Sequence, residues 1–323
     1  MRRTSLAVGL GIWSLVVALL VSSACVPAAK KPEVSQVKAG IMVVENVSPL
    51  YAAEKLGYFK DEGLQVEQTT LGGGAEILPG IVAGKINFGY SNVVSVLQAR
   101  SQGFDMSIIS SSFAVPTSPP DVNSLMVKAD SPFKSAQDLA GKRMAVNNIN
   151  NLPWVLMRAW LKKNGVDPNT VTFREVPLPQ TADAIANGQV EAGYMVPPFS
   201  TAALQQGKLK VLANPDMDFQ PGMDFGVFAA SEKWVKENPA ATAAFVRAYS
   251  RATDLFNKDL AERKKYTAEN TKIEPALMDK MTLGVLRVKI DAAALQKTAD
   301  LMLEHGLLKE KMDVSKAIWD TAK

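Results

Sequence analysis

The chain is 323 residues long, 47% hydrophobic and 21% charged, with a formal net charge of +4. That balance suits a globular protein with a full apolar core and argues against a nucleic-acid binder, because its densest basic run, residues 263–265, is interleaved with Asp259 and Glu262 on a helical stretch. One cysteine, Cys25, excludes an internal disulfide, and one histidine, His305, leaves no ligand set for a metal and no base for a serine nucleophile.

The chain opens with Arg2 and Arg3, continues through the apolar run 6–21, and reaches Cys25 through Ser22, Ser23 and Ala24. This is the order of a secretory signal, here residues 1–24. The Ser-Ser-Ala-Cys junction resembles the lipobox of bacterial lipoproteins, with Ser22 where Leu is commoner, and implies acylation of Cys25 and a membrane anchor through the N-terminal lipid. A plain signal peptide and an uncleaved anchor are the alternatives, the apolar run being close to the ~18-residue minimum for spanning. All three place the body outside the cytoplasm, either lipid-anchored on the outer side of the cytoplasmic membrane or in the periplasm. Without Arg2 and Arg3 the net charge falls to +2. Residues 25–35, rich in Pro, Ala, Lys and Ser, read as a tether.

Short β-like runs then follow at 38–44, 65–71, 86–89, 106–110, 143–146, 171–176, 191–196 and 210–213, with helices between most of them. Ser48 before Pro49 reads as an N-cap, and Gly57 as the left-handed stop of a helix over 50–56. Ser135 and Asp138 form a capping-box pattern, and Asn151 precedes Pro153 as a cap. Pro79 places the start of its helix near Leu78. The alternation predicts an α/β fold built from βαβ units with mostly parallel sheets. Beyond residue 225 one strand, 226–230, is followed by helices only, capped at Ser231 and Asn238. Ala244, Phe245, Ala248 and Leu255 form a core stripe there.

The octet Ala83-Gly-Lys-Ile-Asn-Phe-Gly-Tyr90 recurs as Asn187-Gly-Gln-Val-Glu-Ala-Gly-Tyr194. Each copy ends a short helix with glycine and enters a strand, and Gly63 and Gly165 precede them at similar separations. Two related lobes account for this. Ligands of open parallel sheets sit beyond the carboxyl ends of the strands, so Ser91, Asn92 and residues 196–198 should face one another across a cleft.

The run 57–64 (Gly-Tyr-Phe-Lys-Asp-Glu-Gly-Leu), with Gly72-Gly73-Gly74, Ala83-Gly84 and Phe88-Gly89, resembles the substrate-binding proteins of ABC importers. The likeness is to the branch that takes up sulfonates, taurine, nitrate and thiamine-pyrimidine precursors, and residues 135–146 agree with it. The resemblance implies a type II periplasmic-binding-protein fold with chain crossings near 124–128 and 225–229. Lobe 1 would comprise 36–126 plus 227–323, and lobe 2 would comprise 127–226. It further implies a monomeric receptor without cofactor or catalysis, whose partners are a small-molecule ligand and an importer permease, not nucleic acid. A pyrimidine-synthase-like enzyme of the same fold and a receptor presenting ligand to a sensor kinase are the other readings.

Helix N-termini offer unpaired N–H groups to an anion or polar ligand. The candidates are Ser48, Tyr51, Gly73, Gly74, Ser91 and Asn92 in lobe 1, and Asn148, Asn150, Asn151, Trp154 and Pro198 in lobe 2. Each has a plainer reading: the glycines as a turn needing positive φ, one or two of the asparagines as caps, Trp154 as core. Tyr194 is expected to support the pocket rather than touch the ligand. With no Arg or Lys clamp in view, the expected ligand is compact, polar or planar, and held by neutral donors.

Overall fold

The computed structural model describes residues 30–323. The signal segment, Cys25 and the first part of the tether lie outside the described residues. Among the described residues no helix is long and apolar enough to cross a membrane.

The strands are β1 (Gln36–Ile41), β2 (Gln65–Thr70), β3 (Phe88–Asn92), β4 (Met106–Ala114), β5 (Ser124–Lys128), β6 (Arg143–Val146), β7 (Thr172–Glu175), β8 (Ala192–Met195), β9 (Leu209–Ala213), β10 (Asp224–Ser231) and β11 (Val285–Leu286). They form two sheets, ordered β11-β4-β10-β3-β1-β2 and β7-β6-β8-β5-β9. Most strands of each sheet run the same way, as expected, and each sheet is mixed. The β1–β2, β1–β3, β6–β7 and β6–β8 pairs are parallel, while β10 runs antiparallel to β3 and β4, and β5 antiparallel to β8 and β9. The antiparallel members follow from topology: β5 and β10 are the first strands laid down after the chain passes between sheets. Both belong whole to their sheets, so the passages lie earlier than expected, in 115–123 and 214–223.

The helices are α1 (Ser48–Lys55), α2 (Tyr58–Asp61), α3 (Gly74–Val82), α4 (Val93–Ser101), α5 (Leu152–Lys163), α6 (Leu178–Ala186), α7 (Phe199–Gln205), α8 (Pro215–Phe219), α9 (Glu232–Glu237), α10 (Pro239–Lys258), α11 (Leu260–Thr271), α12 (Pro275–Met278) and α13 (Ala292–Glu304). Asn151 caps α5 by accepting from the Trp154 N–H, the capping box at Ser135 and Asp138 is complete, and Gly57 is left-handed. Ser48 is not a cap: a 3-10 turn at Glu45–Val47 runs straight into α1, and the buried Ser48 hydroxyl instead lies 3.2 Å from the Asn270 Nδ2 that donates to it. Pro79 lies inside α3, which starts four residues earlier than its proline suggested. The C-terminal third is not purely helical, since β11 extends the first sheet against β4. Part of the tether is fixed as well, because both Glu33 carboxylate oxygens accept N–H bonds from Ala240 and Ala241 at the start of α10.

The repeated octet is a repeated piece of architecture. In the first sheet Lys38 accepts from the Asn87 N–H through its carbonyl and donates its own N–H to the Asn87 side chain; Arg143 and Glu191 make the same two bonds in the second. Gly84 and Gly188 are both left-handed and end their helices. Gly89 and Gly193 serve close packing: a Cβ at Gly89 would lie 2.4 Å from Ile77 and 2.7 Å from Ile81 of α3, and one at Gly193 2.9 Å from Thr181 and 3.0 Å from Ile185 of α6. Gly89→Ala and Gly193→Ala should therefore each lower stability by about 1–3 kcal/mol through overpacking. The larger loss is expected at Gly89, where the approach is closer. Chemical denaturation checks this, and a Gly89→Ala protein as stable as the parent refutes the packing account.

Candidate functional site

Between the carboxyl ends of the two sheets lies a cavity of about 50 Å³. The first sheet and its loops contribute Met42, Glu45, Asn46, Gly74, Tyr90, Ser91 and Asn92; the second contributes Asn147, Asn151, Leu178, Tyr194 and Val196. Asn123, from one passage between the sheets, and Phe225, where β10 follows the other, also line it. The rings of Tyr194 and Phe225 stack 6.4 Å apart and only 6° from parallel, joining the sheets at this point.

Among the sequence candidates, Gly74, Ser91, Asn92 and Asn151 meet at this cavity. Gly74 is glycine for room and not for φ, because a Cβ there would lie 2.5 Å from the Ser91 Oγ. Gly73 has an extended backbone, with φ 163°, and a Cβ on it would stand 2.8 Å from Asn148 Oδ1 of the other half. The positive-φ reading of the glycine run is thus replaced by close approach. Gly73, Asn148 and Asn150 do not line the cavity; the two asparagines border an adjoining groove beside α3 and α4, and Asn150 is itself left-handed, with φ 64°.

Three further candidates lie away from the cavity for identifiable reasons. Tyr51 packs beside α11, its hydroxyl 3.5 Å from Glu269 and its ring beneath Lys55. Trp154 is sandwiched between the Arg158 guanidinium and Phe173. Pro198 follows a cis peptide bond from Pro197, and it is Pro197 that reaches the wall. Sequence reasoning missed Asn46 and Asn123, and placed Tyr194 only in a supporting role. Asn147, which adjoins the asparagines chosen from the sequence, was missed as well, whereas the strand-end rule signalled Ser91.

Hydrogen-bond accounting shows which groups remain for a ligand. Asn92 Oδ1 accepts from the Ser95 N–H of its own helix and, at 3.2 Å, from the Leu152 N–H that opens α5 on the opposite side. Asn151 Oδ1 is occupied by the Trp154 N–H, and its amide nitrogen donates to Asn147 Oδ1. Some of the helix-end amides expected to hold the ligand are therefore satisfied by side chains. Ser91 Oγ is buried without a partner, the kind of orphan a ligand resolves.

Folding also brings a cation near: Arg263 Nη2 lies 2.6 Å from Glu45 Oε1, and both residues are buried. No Lys or Arg is among the lining residues, but Glu45 is, so folding brings an acid and its buried Arg263 partner to a wall expected to hold neutral donors only. Behind Tyr194 and Asn123 sits Asp216, fully buried in α8, whose Oδ2 accepts at 2.6 Å from the Tyr194 hydroxyl and at 2.8 Å from Asn123 Nδ2. Burial, and then the Asp121 carboxylate, raise Asp216 from 3.8 to about 7. Burial and the same Asp216 carboxylate push the Tyr194 hydroxyl well up.

The chain matches the family described as NMT1/THI5 like over residues 44–261. It belongs to that family. An Escherichia coli (strain K12) relative described as an aliphatic sulfonates-binding protein is 26% identical over 257 residues, covering 76% of each chain. A 4-amino-5-hydroxymethyl-2-methylpyrimidine phosphate synthase of Candida albicans (strain WO-1) is 23% identical, covering 71% of this chain and 68% of the relative. Among solved structures, the alkanesulfonate-binding protein of Xanthomonas axonopodis pv. citri bound to MOPS superposes with a TM-score of 0.76 at 23% identity, covering 89% of this chain and 99% of that one. The fold is the two-sheet, type II periplasmic-binding-protein fold.

Asp216 gives the site a pH signature. Its carboxyl sits higher in the folded chain than in the unfolded one, so its contribution to stability is full below pH 3.8 and is lost as pH rises through about 7. Asp216→Asn removes that proton linkage. The variant's melting temperature should consequently fall less than the parent's between pH 5 and pH 8, and parallel melting profiles would refute the assignment.

Proposed function

We propose that the chain is an extracytoplasmic receptor that encloses a small polar or anionic molecule between its two halves and delivers it to an ABC importer. The observation that carries this is the buried, unpartnered Ser91 Oγ at a cavity whose walls come from both sheets. A group held in that way is satisfied only when a ligand is present, so the ligand and the closed arrangement stabilise each other. Sulfonates are the first class to test, given the Escherichia coli and Xanthomonas relatives.

The same reading includes export, acylation at Cys25, a monomeric state, and two lobes that meet at the passages in 115–123 and 214–223. The ligand contacts are Gly74, Ser91, Asn92 and Asn151, with Asn46, Asn123, Asn147 and Tyr194 added. The Candida relative favours a second reading, a pyrimidine synthase. Turnover or a bound pyridoxal chromophore in the purified chain would support that reading over the first.

A thermal-shift screen of sulfonates, nitrate, carboxylates and pyrimidines tests the receptor. A ligand at about 100 times its Kd should add about 2.7 kcal/mol, a shift of several degrees. Ser91→Ala should weaken that ligand by about 2- to 10-fold, the worth of one hydrogen bond, with little change in the unliganded melting temperature. A broad panel that leaves melting unmoved ends the receptor reading.

A further inference from the structure

The passage that carries α8 holds two buried acceptor oxygens with no donor. Asp216 Oδ1 and Gln220 Oε1 both lack a hydrogen-bond partner, and the 2.9 Å bond from the Gln220 N–H to the Asp216 carbonyl sets the two residues one helical turn apart. Their other polar atoms are already engaged: Gln220 Nε2 donates to the Ala294 carbonyl of α13, and Asp216 Oδ2 accepts from Tyr194 and Asn123. Two orphan acceptors each carry a desolvation cost, and one proton on Asp216 Oδ1 supplies the donor that both lack.

The charges nearby favour that proton. Asp121, on the other passage, accepts from the N–H groups of Val122 and Met217, so both passages between the sheets rest on the same two acids. Asp218 adds an exposed third acid on α8, and Lys163 of α5 reaches only its carbonyl. Among the described residues no lysine or arginine bonds to the Asp216 or Asp121 carboxylate, whereas Glu45, the acid in the cavity wall itself, has Arg263 as its partner. The unpaired negative charge therefore stands one side chain behind Tyr194 and Asn123, both of which line the cavity. Burial and then Asp121 hold the Asp216 carboxyl at about 7, in agreement with this placement.

Building on the receptor reading, we propose that Asp216 and Gln220 form a proton-binding site behind the cavity, and that capture of an anion in the cavity is coupled to uptake of a proton there. An anion in the cavity adds negative charge close to Asp216, so holding it favours the protonated carboxyl. By the same linkage the added affinity is present in acid, where Asp216 is neutral, and is lost as pH rises through about 7 and the carboxylate forms. Asp216 is a positioning residue in this step: it touches the wall and not the ligand. A receptor built in this way loads best in acidic surroundings.

Methanesulfonate and nitrate keep their charge at both pH 5 and pH 8, so calorimetric titration with them at the two values isolates the protein's own proton. In the parent, an anion that binds should do so about 5-fold or more tightly at pH 5, with proton uptake read from buffers of unlike ionisation heat. Asp216→Asn puts a neutral amide where the protonated acid would stand, and its N–H can serve Gln220 Oε1. Its affinity at pH 8 should match the parent's at pH 5, and its two affinities should agree within about 2-fold. Infrared spectra of the unliganded protein check the site independently of any ligand: the parent should show the carbonyl stretch of a protonated carboxyl at pH 5, diminished by pH 8 and missing from Asp216→Asn. Gln220→Met, which removes the acceptor and keeps the acid, should shift the loss of that band to lower pH, and it serves as the second variant should Asp216→Asn fail to fold. A parent that lacks the band at pH 5, equal affinities at the two pH values, or a pH dependence retained in Asp216→Asn overturns the proton site and leaves the receptor intact. If neither anion binds while a neutral member of the wider solute panel does, the receptor stands and the coupling falls. If nothing in the panel binds, both fall.

Discussion

The absence of a side chain at Gly89 and Gly193 is the constraint from which the rest of the molecule follows. At these positions a helix lies so close to the middle of its sheet that even a methyl group collides with Ile77 and Ile81 or with Thr181 and Ile185. That closeness sets how α3 and α6 rest on their sheets. The strand ends and loops that carry Ser91 and Tyr194 are fixed along with them. The binding geometry is thus inherited from backbone packing, and few of the cavity's polar groups need a long, flexible side chain to reach it.

Where the two halves meet, one apolar cluster runs from Val93 and Leu97 of α4 to Leu152 and Leu156 of α5, and polar groups add to it. Asn92 joins its own helix to the first amide of α5, Gly73 leaves room for Asn148, and Tyr194 stacks on Phe225. The hydrogen bond and the aromatic pair are each worth about 1 kcal/mol.

Much of this was legible in the chain itself. The octet exposed the duplication because each of its glycines has a rigid geometric task, and Asn151 announced its cap because a side-chain oxygen three residues before a free amide has one main use. The family resemblance supplied the two-lobed plan and the crossings, which the strands moved by about ten residues or fewer. What stayed hidden came from long-range contacts. Asp216 and Asn123 lie 93 residues apart and become partners only once both passages between the sheets are laid side by side. Tyr51 looked well placed because it is one turn into the first helix, yet that face of α1 turns toward α11 and Glu269. Ser48 carried a cap's signature, which the preceding 3-10 turn made redundant.

The strand order also has a consequence for biogenesis. The second sheet is contiguous in sequence and has all its strands once Ala213 has been made, whereas the first lacks β10, which lies between β3 and β4, until Ser231. A chain emerging from its N-terminus can therefore finish the later half before the earlier one. Until then β3 and β4 each wait with an unpaired edge, the kind of surface that invites aggregation or a chaperone.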